Sequence, residues 1–254
     1  MMFALAGCWI NGLFIKNLDN LLEHKITSRL YLYHSQQEKL EKDVSKFLND
    51  SRALAPQIQK KLDFYQEQIK AGQLSAKKVQ KEFEFWQSVA NKKLENIASK
   101  HIGLLAGLNQ EQQKHFFEEM EEKNQEKKEK IAKKLMERIF ERFEFYFDEL
   151  NEQQKKVLNE EKDFFFKRDK QRLKDAKAFQ KQLKALYEEN AKLAQFKKLA
   201  KKSIHELFSA ERTKKHATIV HKLIEASDKQ GKKNLLKKLS EFKGWIKTFQ
   251  ETKY

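Results

Sequence analysis

Glycine and proline are nearly missing from this 254-residue chain, which has seven Gly and one Pro. Loop-forming material is therefore scarce, and helix is expected almost throughout. Cysteine occurs once, at Cys8, which excludes an intrachain disulfide, and no Cys/His spacing reads as a zinc site. Nowhere does an apolar run approach the roughly 20 residues that a spanning helix needs. Also absent are a His-Glu-x-x-His pattern, a Gly-x-Ser-x-Gly elbow and a glycine-rich phosphate loop. The seven histidines, His24, His34, His101, His115, His205, His216 and His221, are scattered. Adjacent carboxylates such as Glu118-Glu119 and Glu121-Glu122 project in different directions from a helix and read as solvated. No catalytic residue, metal site or cofactor is expected, and the chain reads as non-enzymatic.

What the sequence does hold is charge and spaced apolar residues. Charged residues make up 35%, with Lys+Arg 53 against Asp+Glu 37, a net charge of +16. Such a field favours anionic partners without choosing among them. The apolar share is 39% and includes 20 Phe, so the composition is not that of a disordered polyelectrolyte. The expected fold is all-α: an elongated bundle of long amphipathic helices, with the option of two related helical halves.

Apolar residues recur at helical spacing along the chain. Leu18, Leu21, Leu22, Ile26, Leu30 and Tyr33 define a first docking helix. A second stripe runs through Leu40, Val44, Phe47, Leu48, Leu54, Ile58, Leu62, Tyr65 and Ile69, with a kink or break expected just before Pro56. Ser75 is a candidate cap for a helix ending near Gly103 and Gly107. Between Gln110 and Tyr146 there is neither Gly nor Pro, so one helix of more than about 50 Å is expected. Its charged middle, 121–130, reads as a solvated overhang. The run from Val157 to Phe208 is either one very long helix or two. A hairpin of two short helices closes the chain.

One phrase recurs. Leu108-Asn109-Gln110-Glu111-Gln112 returns as Leu150-Asn151-Glu152-Gln153-Gln154, each with an N-cap residue ahead of an acid-containing first turn. Ala226-Ser227-Asp228-Lys229-Gln230 is a weaker copy, which places Ser227 and Gln230 in the motif, and Leu32-Tyr33-His34-Ser35-Gln36 is weaker still. The copies begin at 32, 108, 150 and 226, so the intervals are 76, 42 and 76 residues. Leu108, Asn109, Gln112, Leu150, Asn151 and Gln154 are the principal motif positions. The pattern suggests two related halves, 13–108 and 109–254, within a single elongated domain over 9–254.

At the N-terminus, Leu5-Ala6-Gly7-Cys8 fits the pattern at which bacterial lipoprotein signal peptides are cut and the cysteine acylated, although only a stub precedes it. Residues 1–8 are read as a truncated signal, and a start codon assigned too late would explain the stub. This motif, Asn17-Leu18-Asp19-Asn20-Leu21-Leu22 soon after it, and the recurring phrase together resemble an uncharacterised family of helical bacterial lipoproteins, the DUF6279 lipoproteins. In that family the phrase is usually Leu-Thr-Pro-Glu-Gln. This chain departs from it in carrying Asn for Thr, no Pro in the phrase and more Lys. The phrase is also similar to the Leu-Thr-x-x-Gln repeats of the Spy and CpxP periplasmic chaperones, whose basic helical cradles imply a homodimer and an unfolded client. The resemblance implies lipidation at Cys8, a membrane-anchored chain on the periplasmic face of the envelope, and no established activity. Trp9 after the cysteine is compatible, by family analogy, with the outer membrane.

Two features are candidate contact surfaces. Phenylalanine rows, Phe116-Phe117, Phe145 within Phe143-Phe147, and Phe164-Phe165-Phe166, cannot all face one seam, because successive residues turn by about 100°. They are either buried between three or more helices or exposed to a client or lipid. Lysine pairs, among them Lys197-Lys198, Lys201-Lys202, Lys232-Lys233 and Lys237-Lys238, read as wet faces that could hold the body against anionic lipid, polysaccharide or protein. The preferred reading is a lipid-anchored envelope protein of chaperone-like or scaffolding kind. A cytosolic coiled-coil protein acting on nucleic acid is the disfavoured alternative, since no recognition signature accompanies the charge.

Overall fold

The computed structural model describes residues 16–207 and 209–254, so Cys8 and the acylation pattern lie outside the described residues. Among those residues the chain is 88% helical with no strand. In chain order the helices are α1 (Leu18–Leu30), α2 (His34–Ser51), α3 (Ala55–Lys70), α4 (Ala76–Ala106), α5 (Gln110–Lys133), α6 (Leu135–Phe147), α7 (Glu152–Glu160), α8 (Lys162–Glu188), α9 (Leu193–Leu207), α10 (Ala210–Glu225) and α11 (Lys229–Glu251).

Local chemistry explains most boundaries. A short 3-10 turn, Arg52–Leu54, separates α2 from α3, and Pro56 falls in the first turn of α3, where its missing amide costs nothing. Ser75 caps α4 by accepting from the Lys78 amide at 3.3 Å. Helix α4 runs through Gly103 and stops at Gly107.

The 110–146 segment is not one helix. It bends at Lys134, where φ is −132° and ψ 23°, so α6 sends Leu135, Ile139 and Phe143 into one core while Phe116 and Phe117 stay in others. Nor is 121–130 an overhang: Asn124 is buried and donates to Gln180 Oε1 of α8 at 2.8 Å. Downstream of 161 the chain divides into α8 and α9, with Asn190 at the junction in a left-handed backbone, φ 49°.

Helix α4 is the spine. Its 31 residues reach about 46 Å. The first half meets α10, where Thr213 donates to Gln87 Oε1 at 2.7 Å, and the second half meets α9, where His205 lies 3.2 Å from Glu95. Three apolar clusters are strung along it. The largest gathers Leu62, Ile69, Val79, Ile139, Phe143, Phe147, Phe165, Leu223 and Leu235. A second joins α1 and α2 to Leu108 and the C-terminal Phe249 and Tyr254, and a third packs Ile102 on Leu183, Phe196 and Leu199. Each cluster draws on both sides of residue 108, so 13–108 and 109–254 do not pack as separate halves.

Candidate functional site

Asn109 and Asn151 cap α5 and α7. Their side chains accept from the Gln112 and Gln154 amides at 2.9 Å, and the glutamines reach back to the Asn amides at 3.2 and 3.1 Å. Beyond this local box the two glutamines tie distant corners together. Gln112 Nε2 donates to the Tyr31 carbonyl at 2.9 Å and to Gln36 Oε1 at 2.8 Å, and Asn109 Nδ2 donates to the Tyr33 hydroxyl at 2.7 Å. Gln154 Nε2 donates to the Leu223 carbonyl at 3.2 Å and Ser227 Oγ at 2.8 Å, while Asn151 Nδ2 donates to the Ala226 carbonyl at 3.0 Å. The copy at 32 is therefore clasped to the copy at 108, and the copy at 226 to the copy at 150. Leu108 and Leu150 are buried beside these clasps.

The fourth copy is shifted by one residue from the sequence reading. Asp228, not Ser227, caps α11, accepting from the Gly231 amide at 2.7 Å. Ser227 is buried and donates to the Leu223 carbonyl at 2.7 Å, whereas Gln230 is exposed and pairs with Asn234 on its own helix. Aligned on the cap, Gly231 takes the position of the motif glutamine. Gln154 therefore bonds Ser227 where Gln112, at the other clasp, bonds Gln36.

The phenylalanine rows do not form an exposed surface. Phe165 is fully buried, and Phe145, Phe164 and Phe166 are half-buried against the same cluster. Phe116 and Phe117 pack between the second and third clusters, with Phe117 edge-on to Tyr187 at 6.0 Å. Three consecutive phenylalanines are accommodated because α8 has helices on more than one side, with Arg168 lying 5.1 Å over the face of Phe165 and Lys170 4.5 Å over that of Phe166. Among the described residues the large apolar side chains left exposed are Leu21, Phe64 and Leu193, together with Tyr31 and Tyr33 at the Asn109–Gln112 corner.

Arginine is the residue the sequence reading passed over. Lys+Arg total 53, yet only seven are Arg, and five of those seven, Arg138, Arg142, Arg168, Arg172 and Arg212, converge. Arg138 and Arg142 stand one turn apart on α6, as do Arg168 and Arg172 on α8, with Lys127 of α5 and Arg212 of α10 beside them. Arg168 is buried against Asp169 at 2.7 Å and donates to His216 Nε2 at 2.9 Å. Arg212 reaches Asp175 at 3.9 Å. Nη1 of Arg138 and Nη1 of Arg212 are both buried without a hydrogen-bond partner. Burial pushes Arg168 down to about 10 against the pull of Asp169, and lowers Arg142 and Lys127 as well, with Arg138 and Arg172 repelling both. His216 is pushed down to about 3 by burial first and then by Arg168, Arg172 and Arg142, so it is neutral and accepts from Arg168. Adjoining this ladder is an open cleft of about 450 Å³ between α5, α8, α9 and α10, lined by Lys127, Arg172, Arg212, Asp175, Glu206 and Phe179 among others. The signal in the sequence was rarity: seven arginines against 46 lysines, four of them spaced i, i+4.

Among the described residues no group of His, Cys, Asp or Glu is placed to hold a metal ion. No helix among them is long and apolar enough to cross a membrane. Comparison of the chain with protein-family models, curated proteins and solved structures finds no match.

Proposed function

We propose that this chain is a non-enzymatic, lipid-anchored helical protein of the bacterial envelope, on the periplasmic face, that scaffolds by holding an anionic partner against its lysine faces. The observation that carries this reading is the division of labour on α9: Phe196 and Leu199 are buried while Lys197, Lys198, Lys201 and Lys202 are exposed. The same division recurs on α11, where Leu235 and Leu239 point inward and Lys233 and Lys237 outward. Near an anionic surface each such lysine contributes about 1 kcal/mol, and the attraction acts within a Debye length. Leu5-Ala6-Gly7-Cys8 supports the anchor. The packing of the phenylalanine rows favours the scaffolding form over capture of an unfolded client, which needs a contiguous apolar patch.

The test is fractionation of cells expressing the full chain and a Cys8→Ala control, together with co-sedimentation on phosphatidylglycerol and phosphatidylcholine vesicles. The reading expects acylated protein in the membrane fraction, release by Cys8→Ala, and retention on anionic vesicles that weakens with salt. Unacylated protein in the soluble fraction counts against it. If that protein also bound DNA with a log–log salt slope of roughly −0.9 per phosphate contacted, the nucleic-acid alternative would take its place.

A further inference from the structure

The arginine ladder and the cleft beside it set up a more specific interaction than the lysine faces, and one that does not depend on lipid anchoring. We propose that the cleft between α5, α8, α9 and α10 binds a phosphate-bearing anion through Arg172, Arg212 and Lys127, with Arg138 and Arg142 of α6 reinforcing the charge behind them.

Residue choice is the first argument. Five of the chain's seven arginines lie at this one locus, and four of them, Arg138, Arg142, Arg168 and Arg212, are at least partly buried, while Arg172 opens to the cleft. A guanidinium is the cation suited to partial burial and to a planar, two-point grip on an oxyanion, whereas an ammonium is the strongly hydrated cation of an open face. Charge imbalance is the second. Lys127, Arg138, Arg142, Arg168, Arg172 and Arg212 face Asp169, Asp175 and Glu206, an excess of three positive charges in a partly desolvated setting. A single carboxylate would leave most of it uncompensated, while a phosphate or diphosphate would not. An unmade bond is the third: Arg212 lines the cleft and its buried Nη1 lacks an acceptor, and a buried charged donor left unpaired is costly. Apolar side chains along the cleft, Met120, Phe179 and Ile204, suit a phosphate carried on an apolar moiety. Burial first, and then Arg138 and Arg172, lower the ionisation of both Arg142 and Lys127, as expected of cations held close together.

Two sources share this chemistry, a soluble phosphate compound and a phospholipid headgroup. Calorimetric titration of the full chain with inorganic pyrophosphate is expected to show saturable one-to-one binding, weakened about tenfold or more in an Arg142→Gln/Arg172→Gln double variant. A Lys233→Gln/Lys237→Gln variant, which removes the same charge from an exposed face, is expected to bind as the parent does. If a headgroup is the ligand, the arginine variant also loses retention on phosphatidylglycerol vesicles; if a soluble phosphate is, vesicle retention is unchanged while pyrophosphate binding falls. Equal loss in the arginine and lysine variants overturns the proposal in favour of a diffuse surface field, as does failure of both pyrophosphate and anionic vesicles to bind. Because the arginine variant could misfold, melting of the unsubstituted protein supplies an independent reading. Pyrophosphate must raise its Tm above the value in sodium chloride of equal ionic strength, and equal Tm values would mark the ladder as an internal ion network only.

Discussion

Gln154 shows how much one side chain can carry. It is fully buried, accepts from the Asn151 amide and donates both to the Leu223 carbonyl and to Ser227 Oγ. Truncation opens a cavity in the core and takes a partner from the Asn151 amide and from Ser227 Oγ, so Gln154→Ala is expected to cost about 2–3 kcal/mol in urea unfolding. Asn109→Ala and Asn151→Ala, which remove caps, are each expected to cost about 1 kcal/mol. A cost for Gln154→Ala no larger than the cap variants would show that water replaces the glutamine. His216 gives a pH signature. Its folded pKa, near 3, lies below the ordinary value of about 6.5, because burial and three arginines disfavour the imidazolium. The unfolded chain therefore takes up the proton first, and the stability that neutral His216 supplies above about pH 6.5 is lost as pH falls toward 3. His216→Gln keeps an acceptor for Arg168 without the titration. Melts at pH 7 and 5 should show a smaller loss for this variant than for the parent; parallel losses would place the acid sensitivity elsewhere.

At the scale of elements, the four corners act as two clasps. Tyr33 with Asn109 and Gln36 with Gln112 join positions 76 residues apart, the same interval that separates the phrases. The capping boxes were legible because N-capping depends on neighbours within four residues, and Pro56 and Ser75 marked their boundaries for the same reason. Which corner meets which was visible only as an interval, since pairing is decided by packing across the bundle. The register of the fourth copy was misread because Ser227 and Asp228 are both competent caps, and only the buried demand of Gln154 for a partner selects Ser227 for another task. The bend at Lys134 has no Gly or Pro to announce it, and the arginine ladder is divided among α6, α8 and α10, so its charges meet only after folding. A double-mutant cycle tests the first clasp. Gln36→Ala and Gln112→Ala, combined, are expected to be less damaging than their sum by about 0.5–1 kcal/mol. Strict additivity would mean that the bond between them contributes nothing to holding α2 on α5.

Across the whole molecule, the excess of positive charge works against the fold that arranges it. A net charge of +16 is spread over wet helix faces, and its self-repulsion is relieved when the chain unfolds and the charges separate. Opposing this are ion pairs of two kinds. Most, such as Lys130 with Glu126 and Lys247 with Glu251, are exposed and contribute little. A few are enclosed: Glu161, buried at the α7–α8 junction, is held by Lys215 at 2.7 Å and Lys222 at 3.4 Å. Salt distinguishes the two effects by range. Raising ionic strength from about 0.01 to 0.15 M shortens the Debye length from about 30 to 8 Å, which suppresses repulsion between helices while leaving the enclosed Glu161 contacts nearly intact. The chain is therefore expected to gain stability with sodium chloride over this interval, read as a rising Tm by calorimetry. Lys233→Gln/Lys237→Gln, by lowering the repulsion at the outset, should flatten the rise. A Tm that falls as salt is added would mean that ion pairs outweigh the repulsion, and that the lysine faces are held by acids within the fold instead of standing free for an anionic partner.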